Sequence, residues 1–105
     1  MKLIWSEGAL SDWNVIARYI AVNFGKKGFD EFDEKTTEAE SLITQFPGSG
    51  SPIKTHKHQK LGLKFVSISD LSKMIYHVDS DKIVIDVIWD TRQNPKRLAQ
   101  KLSKI

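Results

Sequence analysis

The sequence predicts an α+β domain of order β-α-α-β-β-β-(α), in which a two-helix hairpin packs on one face of a mainly antiparallel, twisted sheet. In the first half, apolar residues recur at steps of three and four along two stretches, which is typical of amphipathic helices. In the second half, three apolar segments are joined by short polar turns, which is typical of an antiparallel meander. Strands and helices are therefore segregated along the chain, as in α+β proteins.

The first half of the chain predicts one short strand and the helical hairpin. Residues 2–5 form the strand, and Ser6 is placed to cap the helix that follows. The apolar face of this helix repeats until Gly25, which ends it. A second helix is predicted to start near residues 27–28 and to end at Phe46-Pro47-Gly48. Two amphipathic helices joined by a few residues form an antiparallel hairpin that needs a sheet to cover.

The second half predicts a loop, three strands and a short last helix. Residues 48–59 are rich in Gly, Ser and Pro and predict a surface loop. Three strands follow, at residues 61–69, 73–78 and 83–89. The third is apolar at nearly every position, which is typical of a strand buried on both faces. Pro95 is suited to the first turn of a helix, with Asn94 as its cap.

Length and composition fit one small domain. The chain has 105 residues, enough for one hydrophobic core, so we assign residues 1–105 to a single domain. No apolar run reaches the roughly 20 residues that a membrane-spanning helix needs, and no signal peptide is predicted. The lack of cysteine excludes disulfides and thiolate chemistry and suits a cytoplasmic protein, which is the location we expect.

The charge is divided unevenly between the two halves. Residues 1–53 carry five Lys/Arg and eight Asp/Glu, a net −3, and residues 54–105 carry eleven Lys/Arg and five Asp, a net +6, which together give the total of +3. The basic half is also the half with the apolar strands. Its surface fits a polyanion such as RNA or an acidic protein segment, unless the lysines serve only solubility.

No metal or cofactor is predicted. His56 and His58 stand two residues apart in the predicted loop, but a metal site needs further ligands in a fixed geometry. Only His77 remains as a third histidine, and the chain has no cysteine. No glycine pattern has the strand-to-helix context that phosphate binding requires.

Four segments carry a family resemblance when they are taken together. They are Ser11-Asp12-Trp13 through Tyr19-Ile20, Phe46-Pro47-Gly48-Ser49-Gly50, Met74-Ile75-Tyr76-His77-Val78, and Ile88-Trp89-Asp90-Thr91-Arg92-Gln93-Asn94-Pro95. The last one, an apolar strand that leads to Arg92 three residues before a proline, is the most specific. In this order and spacing the segments resemble the RelE/ParE toxins of type II toxin–antitoxin systems, also called plasmid-stabilisation proteins. The resemblance covers nearly the whole chain and implies the same hairpin-on-sheet fold.

The resemblance implies a partner and one of two targets. Toxins of this family are silenced by a cognate antitoxin, and operator DNA would be bound only through that antitoxin. We expect an acidic or amphipathic antitoxin segment in an apolar groove between the basic strands and the last helix, paired with Lys96, Arg97 and Lys101. ParE-like members inhibit DNA gyrase and need no nuclease residues, whereas RelE-like members cut mRNA on the ribosome.

The candidate catalytic residues apply only to the RelE-like branch. Lys64, Lys73 and Arg92 match the places of basic active-site residues in RelE-like toxins, where they would stabilise charge on the scissile phosphate without a metal. The last helix, however, carries Leu98 where RelE-like nucleases usually carry an aromatic or imidazole side chain. The Phe46-Pro47 closure and the helix lengths also look ParE-like. We therefore favour a ParE-like gyrase inhibitor, with a RelE-like endoribonuclease, or an inactive remnant that only binds antitoxin, as alternatives.

Overall fold

The predicted α+β architecture is confirmed. The computed structural model describes residues 1–53 and 61–105, so His56 and His58 of the predicted loop lie outside the described residues. In chain order the elements are β1 (Lys2–Trp5), α1 (Glu7–Gln45), a short 3₁₀ helix (Pro47–Ser49), β2 (Ser51–Pro52), β3 (Lys64–Ser69), β4 (Ser72–Asp79), β5 (Lys82–Asp90) and α2 (Pro95–Leu102).

Helix α1 is the predicted hairpin, because Gly25 breaks it into two arms, residues 7–24 and 26–45. Gly25 has φ 72° and ψ −166°, a conformation that is open essentially only to glycine. The arms fold back on each other, with the Trp13 ring stacked on Phe32 at 5.4 Å between centroids. The indole Nε1 of Trp13 also donates to Oγ1 of Thr36 at 2.9 Å. At the other end Ser6 caps the first arm as predicted, since its Oγ accepts from the Ala9 N–H at 3.0 Å.

The hairpin covers a five-stranded sheet of order β1-β5-β4-β3-β2. Strand β1 pairs with β5 in parallel, and the other neighbours are antiparallel. Strand β2 lies inside the predicted surface loop and was not predicted. It pairs only Ser51 with Phe65 and Pro52 with Lys64, and a two-residue strand that contains proline has no periodicity to reveal it.

Both faces of the sheet are apolar. The face under α1 holds the main core, whose largest fully buried side chains include Tyr76, Ile43, Met74, Ile83 and Ile85. The outer face carries a smaller cluster of Leu63, Ile75, Val87, Trp89 and Leu102, with Ile53, Phe65 and Leu98 packed against it. Strand β5 contributes to both clusters, which confirms that it is buried on both faces and explains its nearly continuous apolar sequence.

Tyr76 explains why the second arm closes with Phe46-Pro47-Gly48-Ser49-Gly50. The Tyr76 hydroxyl donates to the Pro47 carbonyl oxygen at 2.7 Å and accepts from the Gly50 N–H at 3.0 Å. A Cβ added to Gly50 would stand 2.6 Å from that hydroxyl, so only glycine fits there. One buried side chain of β4 thus fixes the turn that leads into β2.

The start of α1 takes the place of a missing strand along the far half of β5. Strand β1 pairs only with Lys82–Ile85, so the later residues of β5 have no strand on that side. Instead, Ser6 Oγ donates to the Asp86 carbonyl at 3.0 Å, and Asp12 Oδ2 accepts from the Ile88 N–H at 3.2 Å. These bonds satisfy the edge of β5 and fix the first arm of α1 against it. No helix among the described residues is long and apolar enough to cross a membrane.

Candidate functional site

Helix α2 separates two concave surfaces at the carboxyl end of β5. Asn94 caps this helix as predicted, since its Oδ1 accepts from the Lys96 N–H at 2.9 Å, and Pro95 is its first residue. Leu98 and Leu102 pack on the outer-face cluster. The opposite edge of α2 faces the first arm of α1, so the helix has one surface on each side.

The first surface, which we call the trough, has an apolar floor on the outer face of the sheet. It has a volume of about 370 Å³ and is lined by Ile53, Phe65, Lys73, Ile75, Trp89, Thr91 and Leu98. Its one lysine, Lys73, holds its Nζ 4.4 Å from the centre of the Phe65 ring, within cation–π range. The trough thus has the apolar floor that the sequence predicts for the antitoxin groove, but the predicted cations Lys96, Arg97 and Lys101 are not among its lining residues.

Lys64 and Lys73 lie on opposite faces of the sheet. Directly paired residues of neighbouring strands place their side chains on the same face. Lys64 pairs with Tyr76, whose side chain belongs to the core under α1, whereas Lys73 pairs with Trp89, which belongs to the outer cluster. The sheet therefore does not bring these two predicted catalytic cations together.

Arg92 lies at the rim of the sheet as the sequence indicates, with a side chain that is 45% exposed. Its guanidinium is already engaged, since Nε and Nη2 donate to the two carboxylate oxygens of Asp90 at 3.1 and 2.9 Å. The hydrogen bonds from Arg92 hold the pKa of Asp90 below its usual value, and Asp90 in turn raises the pKa of Arg92. The guanidinium also lies 5.0 Å from the centre of the Tyr19 ring. The guanidinium, whose two parallel N–H donors could bind a phosphate, therefore already binds a carboxylate.

The second surface, which we call the α1–α2 cleft, has a volume of about 390 Å³. It is lined by Ser11, Asp12, Val15, Ile16, Ile88, Gln93, Arg97, Gln100, Lys101 and Lys104. Lys101 forms an ion pair with Oδ1 of Asp12, the carboxylate that also accepts from Ile88. Two of the three predicted antitoxin residues, Arg97 and Lys101, thus line the cleft, and Lys96 is exposed on α2.

His77 is paired with Asp86, a contact that the sequence analysis did not predict. The register of β4 and β5 shifts between Ile75 and Tyr76, which leaves Asp86 as the extra residue of a bulge. Its Oδ2 lies 2.6 Å from His77 Nδ1. Burial raises the pKa of Asp86, and the contact with His77 offsets part of that rise. A lone Asp in an apolar strand, beside a His in the neighbouring strand, is the signal that could have revealed the pair.

The described residues contain no group of three or more His, Cys, Asp or Glu side chains that could hold a metal ion. The candidate functional features among the described residues include the trough, the α1–α2 cleft and the His77–Asp86 pair.

Comparison with known proteins gives one family and several structural relatives. A family model described as the ParE toxin of the type II toxin–antitoxin system, parDE, matches residues 3–95. The chain is similar to the solved structure of a chromosomal ParDE system from P. aeruginosa, with a TM-score of 0.72 and 19% identity over 88% of this chain and 97% of that one. No curated protein matches the chain.

Two further solved structures extend the similarity to YoeB proteins. The YoeB/ParE toxin from Agrobacterium tumefaciens has a TM-score of 0.63 and 18% identity over 86% of this chain and 98% of that one. The heterotetrameric YoeB–YefM toxin–antitoxin complex from Staphylococcus aureus has a TM-score of 0.58 and 18% identity, over 85% and 94% of the two chains. At these identities the likeness shows a shared fold.

Proposed function

The chain belongs to the ParE toxin family of type II toxin–antitoxin systems, and from that premise we propose that it arrests growth in the cytoplasm by inhibiting DNA gyrase until a cognate antitoxin silences it. The observation that carries the gyrase proposal is the separation of the cations that RNA cleavage would need. Lys64 and Lys73 lie on opposite faces of the sheet, and the guanidinium of Arg92 is held by Asp90. Inhibition by binding needs no such group of cations.

The trough supports an antitoxin as the partner. Its floor is apolar, with Phe65 and Trp89 partly or wholly packed beneath it, and Lys73 stands at its side. An antitoxin segment with apolar side chains and carboxylates would bury that floor and pair with cations. Two structural relatives are described as a ParDE system and as a YoeB–YefM toxin–antitoxin complex, which agrees with this proposal.

Lys96, Arg97 and Lys101 are the proposed electrostatic contacts of the antitoxin. Arg97 and Lys101 line the cleft on the side of α2 away from the trough, and Lys96 is exposed on the same helix, so they would bind the part of the segment that passes over the helix. Reversing Lys96 and Arg97 to Glu, which leaves the ion pair of Lys101 with Asp12 in place, is expected to weaken binding of the antitoxin encoded beside the toxin. The loss should shrink as salt rises, because salt screens exposed charges. An affinity unchanged in low salt would contradict this assignment.

The endoribonuclease is the second candidate, and one observation favours it. Lys73 and His77 stand at alternate positions of β4, so they share the outer face of the sheet, and the ring of His77 is oriented by Asp86. A histidine held by a carboxylate, and a cation four residues along the same face of the strand, are parts that RNA cleavage uses. For RNA cleavage, the Arg92 guanidinium would have to release the Asp90 carboxylate and bind the scissile phosphate.

Two reactions with the purified chain separate the candidates. One measures supercoiling of relaxed plasmid by DNA gyrase, and the other measures cleavage of mRNA on programmed ribosomes. We expect supercoiling to stop and the mRNA to stay intact. Cleaved mRNA with normal supercoiling, lost in Arg92→Ala and kept in the exposed control Lys35→Ala, would select the nuclease. If neither reaction is affected, and strong expression does not slow growth, the chain is an inactive remnant that only binds antitoxin.

A further inference from the structure

The first arm of α1 exposes an apolar stripe on the side that faces away from the core. Val15, Tyr19 and Val22 recur at steps of four and three, so they share one face of the helix. Their exposed fractions are 64%, 45% and 78%. The core contacts of the same arm, such as Ile16 and Ala17, account for its packing on the sheet, so the stripe contributes little to the fold.

Cations surround the stripe, and the neighbouring carboxylates are already paired. Arg18 is exposed next to Tyr19, and the guanidinium of Arg92 lies 5.0 Å from the Tyr19 ring. Val15 also lines the α1–α2 cleft, so the stripe is continuous with that basic surface. Arg92 is paired with Asp90 and Lys101 with Asp12, so the cations without an ion-pair partner among the described residues include Arg18 on the stripe and Arg97 and Lys104 in the cleft. Among the described residues this face is thus apolar and positively charged.

We propose that the α1 stripe is the surface through which the toxin binds its protein target, and that the target presents an amphipathic segment with carboxylates beside its apolar side chains. Charge complementarity selects an acidic partner, because Arg18, Arg97 and Lys104 have no carboxylate partner among the described residues. A tyrosine and an arginine in contact at the middle of an apolar patch are also the residue types that dominate binding energy at protein interfaces. This proposal rests on the proposed function only for naming DNA gyrase as that target.

The stripe and the trough are separate surfaces. The trough lies on the outer face of the sheet, the stripe lies on α1, and α2 stands between them. Substitutions on the stripe therefore leave unchanged the floor on which we place the antitoxin, although Val15 shares the cleft with the proposed antitoxin contacts Arg97 and Lys101. They also leave the core intact, since every substituted side chain is exposed.

The test uses the full chain with two stripe variants and a matched control for each. Val15→Ser combined with Val22→Ser removes two apolar side chains of the stripe, and Leu71→Ser removes another exposed apolar side chain, from the β3–β4 turn. Arg18→Glu reverses the charge of the stripe, and Lys35→Glu reverses an exposed charge on the second arm. Melting temperatures should show that all four variants fold. We expect each stripe variant to raise the concentration for half-inhibition of gyrase by roughly tenfold or more, with the controls unchanged.

Failure of this inference differs from failure of the proposed function. If the unaltered chain and the stripe variants inhibit gyrase equally, the stripe does not bind the target. If the unaltered chain arrests growth but leaves gyrase active, gyrase is the wrong target, and growth arrest becomes the measurement. If only the stripe variants then fail to arrest growth, the stripe is supported as the target-binding surface. If all variants arrest growth equally, the proposal is overturned. If the native chain forms dimers that dissociate in the double variant, while inhibition is unchanged, the stripe binds a second copy of the chain. That result would also overturn the proposal that it binds the target.

Discussion

Replacing Tyr76 by Phe removes one hydroxyl and is expected to loosen the turn between α1 and β2. In the native chain that hydroxyl accepts from the Gly50 N–H at 3.0 Å and donates to the Pro47 carbonyl at 2.7 Å, and Tyr76 is 0% exposed. The phenyl ring keeps its place in the core, so the loss is confined to the two hydrogen bonds. A buried N–H that loses its partner costs about 1–3 kcal/mol. For a chain of this length, 1 kcal/mol lowers the Tm by about 4 °C, so we expect a fall of roughly 4–12 °C.

The assay is thermal unfolding followed by circular dichroism, with hydrogen exchange to locate the change. Amides of residues 47–53 should exchange faster in the Tyr76→Phe variant, because the hydroxyl anchors this segment to β4. Tyr19→Phe is the matched control. Tyr19 is 45% exposed, so water can hydrogen-bond to the groups around its hydroxyl when that hydroxyl is removed. A variant that melts within about 1 °C of the native chain, well below the shift of about 4 °C expected for 1 kcal/mol, would show that the hydroxyl does not hold the turn.

Three further substitutions test other parts of the structure. Gly25→Ala should destabilise the fold by about 1–3 kcal/mol, because only glycine adopts its backbone conformation at no cost. Gly48→Ala is the control in urea unfolding, since neither position has an atom within 4 Å of an added Cβ and Gly48 has ordinary backbone angles. Asp86→Asn tests the raised pKa of Asp86. A carboxyl group whose pKa is higher in the folded state stabilises the fold at a pH below its usual pKa, and this stabilisation is lost as the pH rises through the raised pKa. As the pH falls from 7 toward 4, the unfolding free energy of the native chain should therefore rise relative to that of the variant, and a constant difference would contradict the shift. Asp12→Ala removes the partner of Lys101 and of the Ile88 N–H, so amides of α2 should exchange faster while those of β4 stay protected, and unchanged exchange in α2 would show that Leu98 and Leu102 hold it alone.

The elements of the fold could be predicted because each has a local signal. The spacing of apolar residues in α1, Gly25 at its break, Ser6 and Asn94 at the helix starts and Pro95 at the first turn of α2 all act through neighbours within one or two turns. Strand β2 escaped prediction because two residues give no period, and its position is set by Tyr76, which lies far along the chain.

The site was predicted less completely, because contacts between distant segments decide it. The position of Arg92 at the rim follows from the end of β5, but its pairing with Asp90 depends on the rotamers that the folded rim allows. The opposite faces of Lys64 and Lys73 depend on the register between β3 and β4 and between β4 and β5. A shift of one residue in that register would reverse the face of each side chain.

The sequence by itself determined the fold class, the family and the position of the cation at the end of β5, since periodicity, caps and motif order are properties of neighbouring residues. Only the tertiary structure decided which charges are free to act. Lys73 lies beside the trough, and Arg92 and Lys101 form ion pairs with Asp90 and Asp12. The apolar stripe of α1 stays exposed on the surface. The physical reason is that a charge or an apolar side chain acts on a partner only when it has no closer one, and its neighbours in space are fixed by the packing of whole elements.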